Sequence, residues 1–173
     1  MDAGRDPATF CADVGRRLTG SLVLYCGDRA LGEELAQEAL VRALERWPRV
    51  SRLESPEAWV FHVGFNLAKS ARRRREVEAR ARERLSRDRE PHAELPDTPT
   101  ALAVRDAIDA LPPRQRAVVL IRFYAQLDVR ETARALRCAE GTVKSLTHKA
   151  ITALRASGLV DDDQEVVLDV EPH

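Results

Sequence analysis

The stretch from Leu127 to Leu154, LDVRETARALRCAEGTVKSLTHKAITAL, constrains this chain most. Its pattern predicts two helices joined by a tight turn. Asp128 can cap the first helix, and Glu131, three residues on, can reach back to the cap's own amide, as in a capping box. Small Ala133 lets a second helix cross close by. Arg137, Cys138 and Ala139 form the turn, and the second helix starts near Glu140 and Gly141. At about 100° per residue, Val143, Thr147, Ala150, Ile151 and Leu154 share one face of that helix. Lys144, Ser145, His148, Lys149 and Thr152 share the other. The first face is apolar apart from one threonine. The second is short, polar and basic, with no carboxylate. Such a face suits a helix entering the major groove, with donors for base edges and cations for phosphates. An ordinary surface helix of a small bundle has the same periodicity.

Charge is sorted along the chain although the formal net charge is zero. Lys69 to Glu90 carries ten basic and five acidic residues; Asp161 to His173 carries six acidic residues and no Lys or Arg. This segregation points to an acidic partner, such as nucleic acid, for the middle and to a solvated tail. Of the 28 basic residues only Lys69, Lys144 and Lys149 are lysines, and two of those fall on the candidate recognition helix.

Upstream, Pro7 to Thr19 predicts a helix with Phe10, Val14 and Leu18 on one face. Gly20, Ser21 and Gly27 then mark a turn region around a short apolar piece. Asp28 offers a cap for a helix reaching Trp47, with Ala36, Leu40, Ala43, Leu44 and Trp47 inward. Pro48 to Ser55 reads as a loop, and Pro56 suits the first turn of the next helix. There Val60, Val63, Gly64 and Leu67 form the inward stripe. Arg72 to Arg75 continue that helix on all its sides, so they cannot belong to a buried face. Phosphate contact is the sharper reading of these arginines and a solvated face the blander one. Pro91, Pro96 and Pro99 break the pattern and mark a linker. Ala101 to Leu111 and a helix opened by Pro113 precede the helix-turn-helix.

Cys11, Cys26 and Cys138 form no CxxC pair and no zinc-spaced cluster, so no metal site is expected. No cofactor is implied. No catalytic carboxylate pair, nucleophile–base set or phosphate loop stands out, so the chain is not read as an enzyme. The polar start MDAGRD and the lack of a long apolar run lead to the expectation of a soluble cytoplasmic protein without membrane insertion.

Several motifs resemble those of bacterial RNA polymerase sigma factors. Glu140-Gly141-Thr142-Val143-Lys144-Ser145 is similar to the EGTVKS run of their C-terminal domain. Leu111-Pro112-Pro113-Arg114-Gln115-Arg116 is similar to the LPPRQR that opens it. Glu34-Leu35-Ala36-Gln37-Glu38 resembles their D-x-x-Q-E stretch, with Glu34 in place of aspartate. Ala58-Trp59 through Asn66 and Ala68 resembles their AW-x-x-x-x-A-x-N-x-A segment, with Gly64 in place of alanine. The chain resembles the extracytoplasmic-function (ECF) group, in particular its actinobacterial SigE-like members.

That resemblance implies an all-α fold of two small helical domains, a sigma region two bundle and a region four helix-turn-helix. Region two would span 8–90, a Pro-rich linker 91–100, region four 101–158 and an acidic tail 159–173. The implied partners are core RNA polymerase (clamp helices and flap), promoter DNA and an anti-sigma factor. Glu34, Gln37 and Glu38 would dock on the clamp, with Arg42 extending the surface. Ser51, Arg52, Ser55, Asn66, Lys69, Arg72 and Arg73 would meet the minus-ten element. Thr142, Lys144, Ser145, His148 and Lys149 would read the minus-thirty-five element. Two positions depart from the family pattern. Arg137 replaces a turn glycine, and Leu146 stands where arginine or glutamine is common. The competing reading is a polymerase-independent helix-turn-helix regulator. A polymerase-binding factor that never touches DNA is a third.

Overall fold

The computed structural model describes residues 6–83 and 99–158. Every regular element among them is helical: α1 Pro7–Cys26, α2 Arg29–Glu45, α3 Trp47–Val50, α4 Pro56–Glu83, α5 Pro99–Ala110, α6 Pro113–Val119, α7 Val129–Leu136 and α8 Glu140–Ala156. A π-helical turn, Leu120–Tyr124, continues α6. Most of the expected linker and all of the acidic tail lie outside the described residues.

The chain caps its helices with local side chains. Asp6 accepts from the Thr9 amide at 2.8 Å, and Asp28 from Leu31 at 2.9 Å. Asp128 and Glu131 make both bonds of the expected capping box, at 2.7 and 3.0 Å. Each bond satisfies an amide that the first turn of the helix leaves without a backbone partner.

Three sequence expectations fail for physical reasons. The turn expected at Gly20 does not exist, and α1 runs on to Cys26. Gly20 lies inside the helix because Tyr124 packs where a Cβ would be. The chain turns instead at Gly27, whose φ of 65° is left-handed. The Pro48–Ser55 loop begins inside a short helix, since Pro48 fits the first turn of α3. Leu44 does not face inward: it is 46% exposed, and the buried residues of α2 are Gly32, Leu35, Ala36, Ala39 and Ala43. The crossing of α1 and α2 sets that choice. A Cβ on Gly32 would sit 2.5 Å from the Val23 backbone, so this face must be small.

The N-terminal unit, α1 to α4, buries Phe10, Val14, Leu18, Leu22, Phe61 and Phe65. The C-terminal unit has its own small cores, Val118 with Ala133 and Val143, and Val119 with Ala150 and Leu154. The larger core crosses between the units: Ile108, Ala117, Leu120, Ile121, Ala125, Leu127 and Ala135 join the N-terminal cluster. The two units are therefore docked, with α7 on α4 and the π-helical turn on α1. The π-helical turn has a bond from the Ala125 amide to the Leu120 carbonyl, one residue longer than an α-helical bond.

Candidate nucleic-acid and polymerase interfaces

The expected recognition helix has the predicted faces. Val143, Ala150 and Leu154 are buried, whereas Lys144, Ser145, His148, Lys149 and Thr152 are exposed. Thr142 and Thr147 are half-buried. The α7–α8 turn passes through Arg137 in left-handed conformation, φ 50° and ψ 54°. An arginine there adopts the geometry for which glycine is the unstrained residue. Leu146 is half-buried against the Val118, Ala133 and Val143 cluster, so it packs where the resemblance places a polar side chain.

The minus-ten candidates lie around the start and middle of α4. Arg52, Asn66, Lys69 and Arg73 are exposed, and Ser51 is half-buried. Arg72 pairs with Glu76 at 2.9 Å. Arg75, from the same arginine run, reaches Asp28 at 2.7 Å. Ser55 is buried; its hydroxyl accepts from the Ala58 amide, capping α4, and donates to Glu131 of α7, both at 3.3 Å. The seam between the units thus runs through this candidate site. Asn66 Nδ2 donates to His62 Nε2 at 2.8 Å, and His62 Nδ1 donates to the Ala135 carbonyl at 2.8 Å. A carbonyl only accepts, so this imidazole carries its proton on Nδ1. Burial pushes the His62 pKa below 6.5, against the carbonyl bond, which raises it.

Beside it, Glu54 meets Arg130 at 2.9 Å and Arg134 at 2.5 Å. Hydrogen bonding from Arg134 is the main cause that lowers the Glu54 carboxyl below 4.5. Arg17 adds a bond to the Ala125 carbonyl, and Arg116 one to the Tyr25 carbonyl. These polar contacts rim the larger apolar core that the two units share. A cleft of about 440 Å³ stays open along the seam, lined among others by Asn66, Lys69, Arg114, Arg137 and Leu146.

The polymerase candidates form a stripe on the outer side of α2. Glu34, Gln37 and Glu38 are exposed, and Arg42 is half-buried and paired with Glu38 at 2.8 Å. Val41 and Leu44, 48% and 46% exposed, continue the same stripe. Sequence reasoning missed Val41 and turned Leu44 inward. Their spacing of four and seven from Gln37 was the available signal.

Among the described residues no group of three or more His, Cys, Asp or Glu could hold a metal ion. The three cysteines are free. Burial pushes the Cys26 thiol up to about 11, which leaves it an unreactive apolar filler.

Residues 12–77 match the Sigma-70 region 2 family and residues 101–154 match Sigma-70, region 4. The chain is 35% identical over 137 residues to the ECF RNA polymerase sigma factor SigL of Mycobacterium tuberculosis, covering 75% of each protein. The chain belongs to the ECF family of RNA polymerase sigma factors. The RNA polymerase sigma-E factor of Streptomyces avermitilis is 35% identical over 127 residues, 71% of this chain and 68% of that protein. The chain spans 38% of an uncharacterized Rhizobium meliloti protein to which it is 31% identical. The fold matches the sigma factor RpoE of Bartonella quintana, solved with the anti-sigma factor NepR. That match has a TM-score of 0.73 at 22% identity and covers 89% of this chain and 97% of that one. CnrH, solved with the cytosolic domain of CnrY, matches with a TM-score of 0.61 at 18% identity, covering 91% of this chain and 89% of that one. The chain thus belongs to a family of non-enzymatic transcription initiation factors.

Proposed function

We propose that this sigma factor divides its work between three surfaces. The outer stripe of α2, Glu34, Gln37, Glu38 and Arg42, docks on the clamp helices of core RNA polymerase. The loop Ser51–Ser55 and Asn66 capture a base unpaired from the minus-ten element, while Lys69, Arg72 and Arg73 contact the flanking phosphates. Unstacking a base costs a few kcal/mol, which edge hydrogen bonds can offset. The exposed face of α8 reads the minus-thirty-five element as duplex through Thr142, Lys144, Ser145, His148 and Lys149. The protein works in the cytoplasm, where polymerase and promoter are. The flap is the polymerase contact for the C-terminal unit, and an anti-sigma factor is the expected regulator.

The observation that carries this reading is the carboxylate-free, exposed face of α8 on a helix-turn-helix, in a chain whose two halves match regions 2 and 4. Binding to core polymerase, followed by run-off transcription from a library of random upstream DNA, tests it. The expected result is initiation from templates that share two spaced elements. Polymerase binding without initiation would support a non-initiating polymerase partner. Sequence-specific DNA affinity without polymerase binding would support the stand-alone regulator. Among the described residues no helix is long and apolar enough to cross a membrane.

A further inference from the structure

Glu54 and α7 meet in a way that the division of surfaces above does not explain. The two carboxylate oxygens of Glu54 take separate arginine partners, Arg130 through Oε1 and Arg134 through Oε2. These arginines lie one turn apart on the first helix of the helix-turn-helix. With Arg137 they line an open cleft of about 710 Å³ that continues to Ala139 and Glu140 at the start of α8. In a helix-turn-helix the first helix crosses the DNA backbone while the N-terminal part of the second enters the major groove. A phosphate with two free oxygens fits a pair of guanidinium groups as a carboxylate does.

We propose that Arg130 and Arg134 form a phosphate seat for promoter duplex, and that Glu54 fills this seat when the two units are docked. Glu54 belongs to the loop that the proposed function assigns to base capture. One carboxylate therefore couples the two DNA-binding surfaces: the loop is held against α7 until a phosphate displaces it. The polymerase-facing stripe of α2 is exposed in the docked arrangement, so core binding does not wait on this exchange. The inference rests on the reading that the C-terminal unit binds duplex DNA.

The test measures binding of the full chain to a mixed-sequence fluorescent duplex as salt is varied. Glu54→Gln is expected to tighten binding about two- to fivefold, the range available to an exposed ion pair. The pair Arg130→Gln and Arg134→Gln is expected to weaken binding and flatten the log–log salt slope by about 2. In that double variant, Glu54→Gln is expected to add nothing. All three side chains are at least 32% exposed, so the variants should fold, and matched thermal unfolding confirms it. The inference is overturned if Glu54→Gln leaves affinity unchanged or if its gain survives loss of both arginines. An unchanged salt slope in the arginine variant also overturns it. Absence of duplex binding by every form, the parent chain included, would refute the DNA-binding reading itself; binding that ignores these three charges would refute only the seat.

Discussion

Asn66 is bound through one imidazole to the backbone of the other unit. Its Nδ2 donates to His62 Nε2 at 2.8 Å, and His62 Nδ1 donates to the Ala135 carbonyl at 2.8 Å. This relay needs neutral His62, because a protonated Nε2 cannot accept from the amide NH₂. Burial of the ring, and after it Arg137 of the facing unit, disfavours the cation. The folded pKa is therefore below the unfolded value near 6.5, and between the two values the unfolded chain binds more protons. Stability from this group is fully present above about pH 6.5 and is lost as pH falls through the window below it. His62→Gln cannot titrate. The unfolding midpoint of the parent chain is expected to fall relative to His62→Gln between pH 7.5 and 5.5. A constant difference across that range would show that His62 does not sense the docked state.

Arg137 carries strain that a glycine would remove. Its φ of 50° falls in the left-handed region, and its side chain is exposed. Arg137→Gly is expected to stabilise the chain by about 0.5–1 kcal/mol, a rise of about 1–4 °C in the unfolding midpoint for a chain of this size. A fall in the midpoint would mean that Arg137 makes a stabilising contact exceeding the backbone strain.

The helix-turn-helix was legible because each signal there is local. Asp128 and Glu131 cap the helix they begin, and α8 shows its two faces within 17 residues. The turn at Arg137 was legible from its place between the two helices. What could not be read depends on distant residues. Gly20 looks like a helix breaker until Tyr124, more than a hundred residues away, is seen packed over it. Leu44 fits an apolar stripe, but small residues on the other side of α2 allow the closer approach to α1. The docking of α7 on α4 left no periodic trace, because hydrogen bonds such as Ser55 to Glu131 and His62 to Ala135 join single positions. The candidate DNA residues were legible as types and faces; their engagement across the seam was not.

Val41 and Leu44 are large apolar side chains left exposed beside the acidic residues of α2. Apolar anchors within a polar rim dominate the energetics of many protein interfaces. Val41→Asp and Leu44→Asp are each expected to weaken binding to core polymerase at least about tenfold, the loss of one well-buried anchor. Their unfolding midpoints should stay close to the parent's, since neither side chain supports the core. Unchanged polymerase affinity in both variants would move the docking surface off this stripe.

Lys144 and Asn66 separate duplex reading from melting. Lys144 is exposed on α8, near the N-terminal end that a helix-turn-helix presents to base edges. Lys144→Ala is expected to reduce promoter-specific initiation by at least severalfold, given about 1–3 kcal/mol for a good base contact. Asn66 lies on α4 in the other unit, so Asn66→Ala should leave duplex binding by α8 intact. Its expected effect is on the melted bases, whose permanganate reactivity in the polymerase–promoter complex should fall. The relay adds a distinguishing feature. Truncating Asn66 also frees His62 Nε2, so the isolated chain should lose some of its docked stability even where no DNA is present. Normal permanganate reactivity with lowered stability would assign Asn66 to the seam alone. Reduced reactivity with stability unchanged would assign it to base capture alone.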